Sequence, residues 1–363
     1  MNLRNRLNAF ISLGEFLDWF CNLDVSEGKN FEKNKTSDQF VDWAKSLNKQ
    51  IDSAEIHNPW FIRENVLFAL KSISHILDAD KLKNWISQYD TYNSKTLTVG
   101  VVLAGNIPLV GFSDFLCVLI SGHIFLAKLS SKDKQLFPII SDILIEIEPG
   151  FKNKIIFTEE KINNFDMVIA TGSNNTSRYF EYYFDKYPNI IRKNKSSIAV
   201  LVGNESEDEL ILLAGDILRY FGFGCRNVSK IYLPEKYPPA KILDAMEGFA
   251  HLVHHNKFAN NHDYNSAIYL MNAISFLDNG FIIMKEDEGM FPPVSVLYYQ
   301  YYKEIEEVKT IIRNQSEEIQ CVVSGGSIIE GSVEFGKSQQ PELSDYADNI
   351  DTMKFIASLE VNK

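Results

Sequence analysis

The sequence predicts an α/β protein organised on parallel sheet, and three observations carry that expectation. First, LTVGVVLA, starting at Leu97, is short, almost wholly apolar and rich in β-branched residues, as a strand buried on both faces requires. Second, runs of this kind alternate with helical stretches from there onward, the order that gives parallel strands with helices on both faces. Third, 363 residues at 45% hydrophobic and 23% charged form an ordinary globular composition, long enough for two packed domains.

Residues 1 to 90 read as helices. Ile11, Phe16, Trp19 and Phe20 recur at helical spacing, and a second periodic stretch opens at Pro59. His57 and His75 fall here as ordinary helix positions. From Leu97 the units are strand LTVGVVLA, the turn Gly105-Asn106-Ile107-Pro108, a helix around Phe112 to Ser121, strand HIFLAKL, a helix from Gln135 to Ile147, strands IIFT and MVIA, the turn Thr171-Gly172-Ser173 and a helix through Tyr179 to Phe184. After Ile190-Ile191 and a basic turn, strand SIAVLV opens a second α/β unit with an acidic helix start, ESEDE. The run AKILDAMEGFAHLVHHN reads as an amphipathic helix, GFIIMK, VSVLYYQYY and IQCVVS as strands, and Lys303 to Arg313 as a charged helix. Ligands of such open sheets sit beyond the carboxyl ends of the strands. Three polar turns fall there: Gly105-Asn106, Lys128-Leu129-Ser130-Ser131 and Thr171-Gly172-Ser173.

Charge and cysteine usage narrow the chemistry. A formal net charge of −12 opposes general binding to nucleic acid or anionic lipid, so an anionic ligand needs a local basic patch. Lys128 with Lys132, and Arg192, Lys193 and Lys195, are the candidates. No signal-type run and no membrane-spanning apolar run is present, and a cytoplasmic location is expected. Cys21, Cys117, Cys225 and Cys321 are scattered without a CxxC pair, which opposes a disulfide framework and a thiolate metal site. His251, His254 and His255 share one turn but lack a carboxylate or cysteine at matching spacing, so no metal is expected. Neither GxGxxG nor GKS/GKT occurs.

The stretch with the most chemical content is YFGFGCRNVSKIYL, Tyr220 to Leu233. Gly222 and Gly224 permit a tight turn and a close substrate approach, and Cys225 is the side chain the loop presents. A small buried hydrophobe is the other reading of a lone cysteine.

Six stretches in one order then extend this. AGNIPL, LAKLSS, ATGSNNTSRYF, YFGFGCRNVSKIYL, EGMFPPVSVL and FGKSQQPEL resemble the successive signatures of the aldehyde dehydrogenase superfamily, and within it the LuxC-like fatty acyl-CoA reductases. The resemblance runs from about Leu97 to the C-terminus. It implies an aldehyde dehydrogenase-like fold: N-terminal helices and a Rossmann-type cofactor domain over 1–193, a second α/β catalytic domain over 194–335, and a C-terminal return segment over 336–363.

It also implies roles. Cys225 is the nucleophile and Asn106 the side-chain donor to the oxyanion. Lys128, with Ser130 and Ser131 beside it, meets the adenosine ribose of a nicotinamide cofactor, Gly172 and Ser173 flank its pyrophosphate, and Glu288 and Phe291 stand for the ribose and nicotinamide contacts. NAD-preferring members often carry a glutamate where this chain has Ser131, so NADPH is the expected cofactor. The family's Glu-x-Phe would put its glutamate at Gly289, a departure. Where hydrolytic members carry Glu-Leu-Gly-Gly, this chain has Ile190-Ile191-Arg192-Lys193-Asn194, with no carboxylate to activate water. The expected reaction is therefore reduction of an acyl-CoA, with a fatty acyl group foremost, to the aldehyde through an acyl-cysteine. The acyl donor is coenzyme A, an acyl carrier protein or a partner acyl-transferring enzyme. Aldehyde oxidation and a non-catalytic cofactor-binding role are the alternatives. A homodimer is compatible with this reading.

Overall fold

The computed structural model describes residues 1–23, 38–89, 95–326 and 328–358. The chain forms two compact units, one of Met1–Lys193 with Glu342–Lys363 and one of Asn194–Pro341. The chain returns to the first unit at Glu342, some way beyond the expected start of the return segment at 336.

In the first unit, helices α1 (Leu3–Asn22), α2 (Asp38–His57), α3 (Arg63–Ile76) and α4 (Ala79–Ile86) precede the sheet. Their periodic apolar faces bury Phe10, Phe16, Trp43, Leu47 and Leu70. β1 (Thr98–Val102), β2 (Ile124–Lys128), β3 (Ile155–Thr158), β4 (Met167–Thr171) and β5 (Asn189–Arg192) follow, interleaved with α5 (Phe112–Ile120), α6 (Leu136–Ile147) and α7 (Asn174–Phe184). All five strands are parallel, in the order β3-β2-β1-β4-β5. The chain runs outward from β1 to β3 and then restarts on the other side of β1. The reversal puts a switch point between β1 and β4, where loops diverge and leave a crevice. Edge-on contacts of Phe115 with Phe10, Phe125 and Phe137 join α1, α5, α6 and β2 in one core.

Arg192 ends a strand rather than sitting in the expected basic turn. Its guanidinium is buried and grips Asp114 of α5 through two bonds of 2.5 and 2.8 Å. A third bond, 3.2 Å to the Thr352 hydroxyl, reaches α12 (Thr352–Ser358), so the pair also fastens the returning C-terminal segment.

In the second unit, β6 (Ser196–Val200), α8 (Glu207–Leu218) and β7 (Val228–Pro234) are followed by α9 (Ala240–Ala245), a 3-10 run Glu247–His254 and α10 (Asn256–Met271). The single amphipathic helix expected over this stretch is thus broken in two places. His255 is the reason at the second break: its ring accepts from the Phe258 amide and caps α10. β8 (Leu277–Asp278), β9 (Ile283–Glu286), β10 (Val296–Tyr302), α11 (Ile305–Asn314) and β11 (Ile319–Ser324) complete the unit. The sheet order is β11-β6-β7-β10-β9-β8, parallel except for the β8–β9 pair. The acidic ESEDE start of α8 is a reciprocal capping box between Ser206 and Glu209.

Removing one partner of a buried, hydrogen-bonded ion pair leaves the other charge without compensation. Asp114→Ala should therefore lower the stability of the first unit by about 3–5 kcal/mol, read as the shift of its urea unfolding midpoint.

Candidate active site

In the first unit the predicted cofactor residues gather at the carboxyl ends of adjacent strands. Val102 of β1 pairs with Lys128 of β2 on one side and Ala170 of β4 on the other. The Asn106 turn, the 128–131 turn and the Gly172-Ser173 turn thus leave neighbouring strands at the switch point. Their approach is close: a Cβ on Gly105 would meet the Ser130 hydroxyl oxygen at 2.4 Å, and one on Gly172 would meet Thr176 at 2.9 Å. Only glycine fits at either place. Ser173 caps α7, its hydroxyl accepting from the Thr176 amide at 3.3 Å. Ser131 and Lys132 are exposed and Lys128 is half-buried.

Asp133, which the sequence reading passed over, shapes two of these turns. Its buried carboxylate accepts from the Leu109 amide at 3.1 Å and the Leu136 amide at 3.4 Å. Leu109 is left-handed, with φ 54°, so the carboxylate holds the Asn106 turn against backbone strain and starts α6 as well. Burial, opposed by those two amides, pushes the Asp133 acid up to about 6. The spacing Lys132-Asp133 gave no sign of this, because the carboxylate's partners are backbone groups on another strand's turn.

In the second unit Cys225 is half-buried and precedes β7. The turn that presents it differs from expectation. Tyr220, Phe221 and Gly222 are left-handed in succession, with φ 55°, 57° and 80°, whereas Gly224 is not among the positive-φ residues. Two non-glycine residues in that region cost roughly 1–3 kcal/mol each and need support. Asn227 supplies it. Its side chain, 1% exposed, accepts from the Gly224 amide at 2.8 Å. It also reaches the carbonyls of Asp216, Ile217 and Arg219 at 3.1, 3.2 and 2.7 Å. Those carbonyls are orphans of the α8 terminus. The buried Ser197 hydroxyl adds a 3.0 Å bond to the Cys225 carbonyl. The signal for Asn227 was its place two residues after the cysteine.

A second anchored loop stands beside the first. Ser229 donates to the Met290 carbonyl at 2.7 Å, and Lys230, its ammonium driven down to about 8 by burial, donates to the Glu288 carbonyl at 2.7 Å. The Glu288 side chain is exposed, and Gly289 occupies the position of the family's glutamate. Phe291 is 42% exposed. Between the two loops lies a cavity of about 220 Å³ bordered by Phe221 to Gly224, Phe258, Ile282 and Phe291 to Val296, with Asn194, Lys195 and Ser196 on its rim. These segments precede β6, β7, β9 and β10 or stand at their starts. The second unit therefore builds its site at the amino ends of its strands, opposite to the rule that serves the first.

His251, His254 and His255 form no metal site, and no metal-holding cluster exists among the described residues. No described helix is long and apolar enough to cross a membrane.

No profile of a known protein family and no curated protein sequence matches the chain. Solved structures do. An indole-3-acetaldehyde dehydrogenase of Pseudomonas syringae, bound to NAD+ and IAA, superposes with a TM-score of 0.62 at 10% identity, over 92% of this chain and 74% of that one. Aldehyde dehydrogenase 21 of Physcomitrella patens, in complex with the reaction product succinate, gives 0.63 at 10% identity, over 99% and 84%. A Mycobacterium tuberculosis aldehyde dehydrogenase complexed with NAD+ gives 0.60 at 12% identity, over 90% and 74%. The chain has the aldehyde dehydrogenase fold. That is the coarse form of the sequence resemblance; the fatty acyl-CoA reductase branch is a finer matter.

The Asp133 acid sets a pH dependence. The folded chain holds its proton to about pH 6, whereas an unfolded carboxyl loses it near 4. The stability so contributed is complete below about pH 4 and is lost as pH rises through about 6. Asp133→Asn, which cannot ionise, should gain on the wild type across that window by on the order of 2 kcal/mol in urea titrations.

Proposed function

We propose that the chain is a nicotinamide-dependent oxidoreductase acting between an aldehyde and the acyl level through a covalent acyl-cysteine at Cys225. The observation carrying this is the strained loop before β7, in which three left-handed residues, the Asn227 clamp and the Ser197 bond all fix the one cysteine. Strain held by surrounding structure is characteristic of residues kept for chemistry. The aldehyde dehydrogenases of like fold that were solved with NAD+ support a nicotinamide cofactor. So does the first unit, where Gly105 and Gly172 let the turns pack closely at the switch point and the start of α7 adjoins them, a helix terminus suited to phosphate.

In the direction we favour, the Cys225 thiolate attacks the carbonyl carbon of an acyl-CoA. The oxyanion accepts hydrogen bonds from the Asn106 amide and a backbone N–H, and collapse expels the coenzyme A thiolate. Lys128, Ser130, Ser131, Gly172 and Ser173 would hold the cofactor, with Phe291 beside its reactive ring. When bound, it supplies hydride to the thioester carbon. The resulting thiohemiacetal alkoxide on Cys225 re-forms the carbonyl as the C–S bond breaks, releasing aldehyde and returning the thiolate. Reduction is favoured because the stretch that would carry a water-activating base, Ile190 to Asn194, has no carboxylate, and its Arg192 is spent on Asp114. NADPH is favoured because Ser131 leaves the 2′-phosphate unopposed near Lys128 and Lys132. Oxidation of an aldehyde to the acid is the second reading, supported by the activities named for the proteins of like fold.

Intact-mass analysis after mixing the protein with an acyl-CoA and no cofactor should give an acyl adduct that maps to Cys225, is absent in Cys225→Ser and disappears with aldehyde release on adding NADPH. Asn106→Ala should slow acylation by about 10²–10³-fold. Stoichiometric acid from aldehyde, without any acyl adduct from the thioester, would transfer the assignment to oxidation. For the cofactor, KM for NADPH should lie below that for NADH, and Ser131→Glu should invert the order; a wild-type preference for NADH rejects the NADPH reading.

A further inference from the structure

Of the three cations in the basic turn of the sequence, two are spent. Arg192 is locked on Asp114, and the exposed Lys193 ammonium pairs with Glu181 at 2.9 Å. Lys195 is different. It is 8% exposed, borders the 220 Å³ cavity, and makes no hydrogen bond or ion pair among the described residues. It is the single charged residue on the cavity wall, which contains no carboxylate. The rest of the lining is mixed, with Phe221, Phe258, Ile282, Phe291 and Val294 beside Asn194, Ser196, Ser229 and Ser295.

The Lys195 stem is buried, while its ammonium is not shut off from solvent and has no protein group competing for it among the described residues. The cavity lies beside this available charge. At roughly 30 Å³ per water-sized group, the space takes about seven heavy atoms. It adjoins Gly224, one residue from Cys225, so a chain attached to that sulfur has the cavity within reach.

We propose that this cavity receives the far end of the substrate and that Lys195 reads a carboxylate there. The preferred substrate is then a short apolar chain ending in an anionic group, a half-thioester or half-aldehyde of a dicarboxylic acid, rather than a simple fatty acyl group. This rests on the acyl-cysteine reading above. A charge-assisted hydrogen bond in a partly desolvated site discriminates strongly against a partner that lacks the charge.

The test compares adipoyl-CoA with hexanoyl-CoA, equal in carbon count, under NADPH. Wild type should favour adipoyl-CoA by roughly tenfold or more in kcat/KM, mostly through KM, as expected for one hydrogen bond to a charged group. Lys195→Met should abolish the preference, Lys195→Arg should restore much of it, and Lys193→Gln should leave the ratio as in wild type. A wild-type preference for hexanoyl-CoA, or an equal loss on both thioesters in Lys195→Met, overturns the proposal. If neither thioester acylates Cys225, the acyl-cysteine reading fails and the subsite is judged by binding alone. Adipate but not hexanoate should then raise the melting temperature of wild type and not of Lys195→Met; no such difference overturns it.

Discussion

The second unit depends on what happens at the carboxyl end of α8. A helix terminus leaves carbonyls without partners, and here three of them, on Asp216, Ile217 and Arg219, are met by one amide side chain, Asn227. The Asp216 carboxylate takes the other side, accepting from the Gly336 and Ser338 amides and the Ser338 hydroxyl. One helix end thereby fixes both the cysteine loop and the FGKSQQ stretch. Burial raises the Asp216 acid and these donors oppose the rise, so the carboxylate is held by its hydrogen bonds rather than by a cation. The left-handed run at Tyr220 to Gly222 is tolerable only because this anchoring overdetermines it.

The two units place their candidate-site loops by different rules. In the first, a reversal of strand order opens a crevice at carboxyl ends, and helix α7 starts there, capped by Ser173. In the second, the cysteine stands where a helix hands over to β7, and the neighbouring loops stand at amino ends. A helix-to-strand junction has a regular element on each side of the side chain it presents. Ser229 and Lys230 extend that rigidity to the Phe291 loop, bonding Met290 and Glu288 by their carbonyls.

Much of the architecture was legible in the sequence because its signals are local. Apolar β-branched runs gave the strands, ESEDE gave a capped helix, and Thr171-Gly172-Ser173 gave the start of α7. Misreadings arose where distant backbone groups decide. Arg192 looked like part of a solvated turn because Asp114 lies 78 positions away. Gly222 and Gly224 both looked like the residues that permit the tight turn, but only Gly222 takes positive φ, joined by Tyr220 and Phe221 under the hold of Asn227. The helix expected from Ala240 onward was broken because a histidine ring can cap, which periodicity does not register. Asp133 and Ser197 escaped for the same reason: each works on backbone groups brought near by the fold.

The fate of the acidic side chains bears on the direction of the chemistry. An acyl-cysteine is hydrolysed when a carboxylate or imidazole stands ready to take a proton from water. Several carboxylates of the second unit already have occupations. Asp216 holds the 336–338 stretch, Glu205 accepts from the Val202 and Gly203 amides, and Asp287 accepts from Gly289 and pairs with Lys285. The partners of Asp287, first the Lys285 ammonium, pull its acid below the usual range despite some burial, which makes it a poor base. A group that serves as base needs the opposite, a lifted pKa and a free lone pair. These three carboxylates are thus committed to backbone amides, a hydroxyl and a lysine, and the reductive direction proposed above needs no base from them.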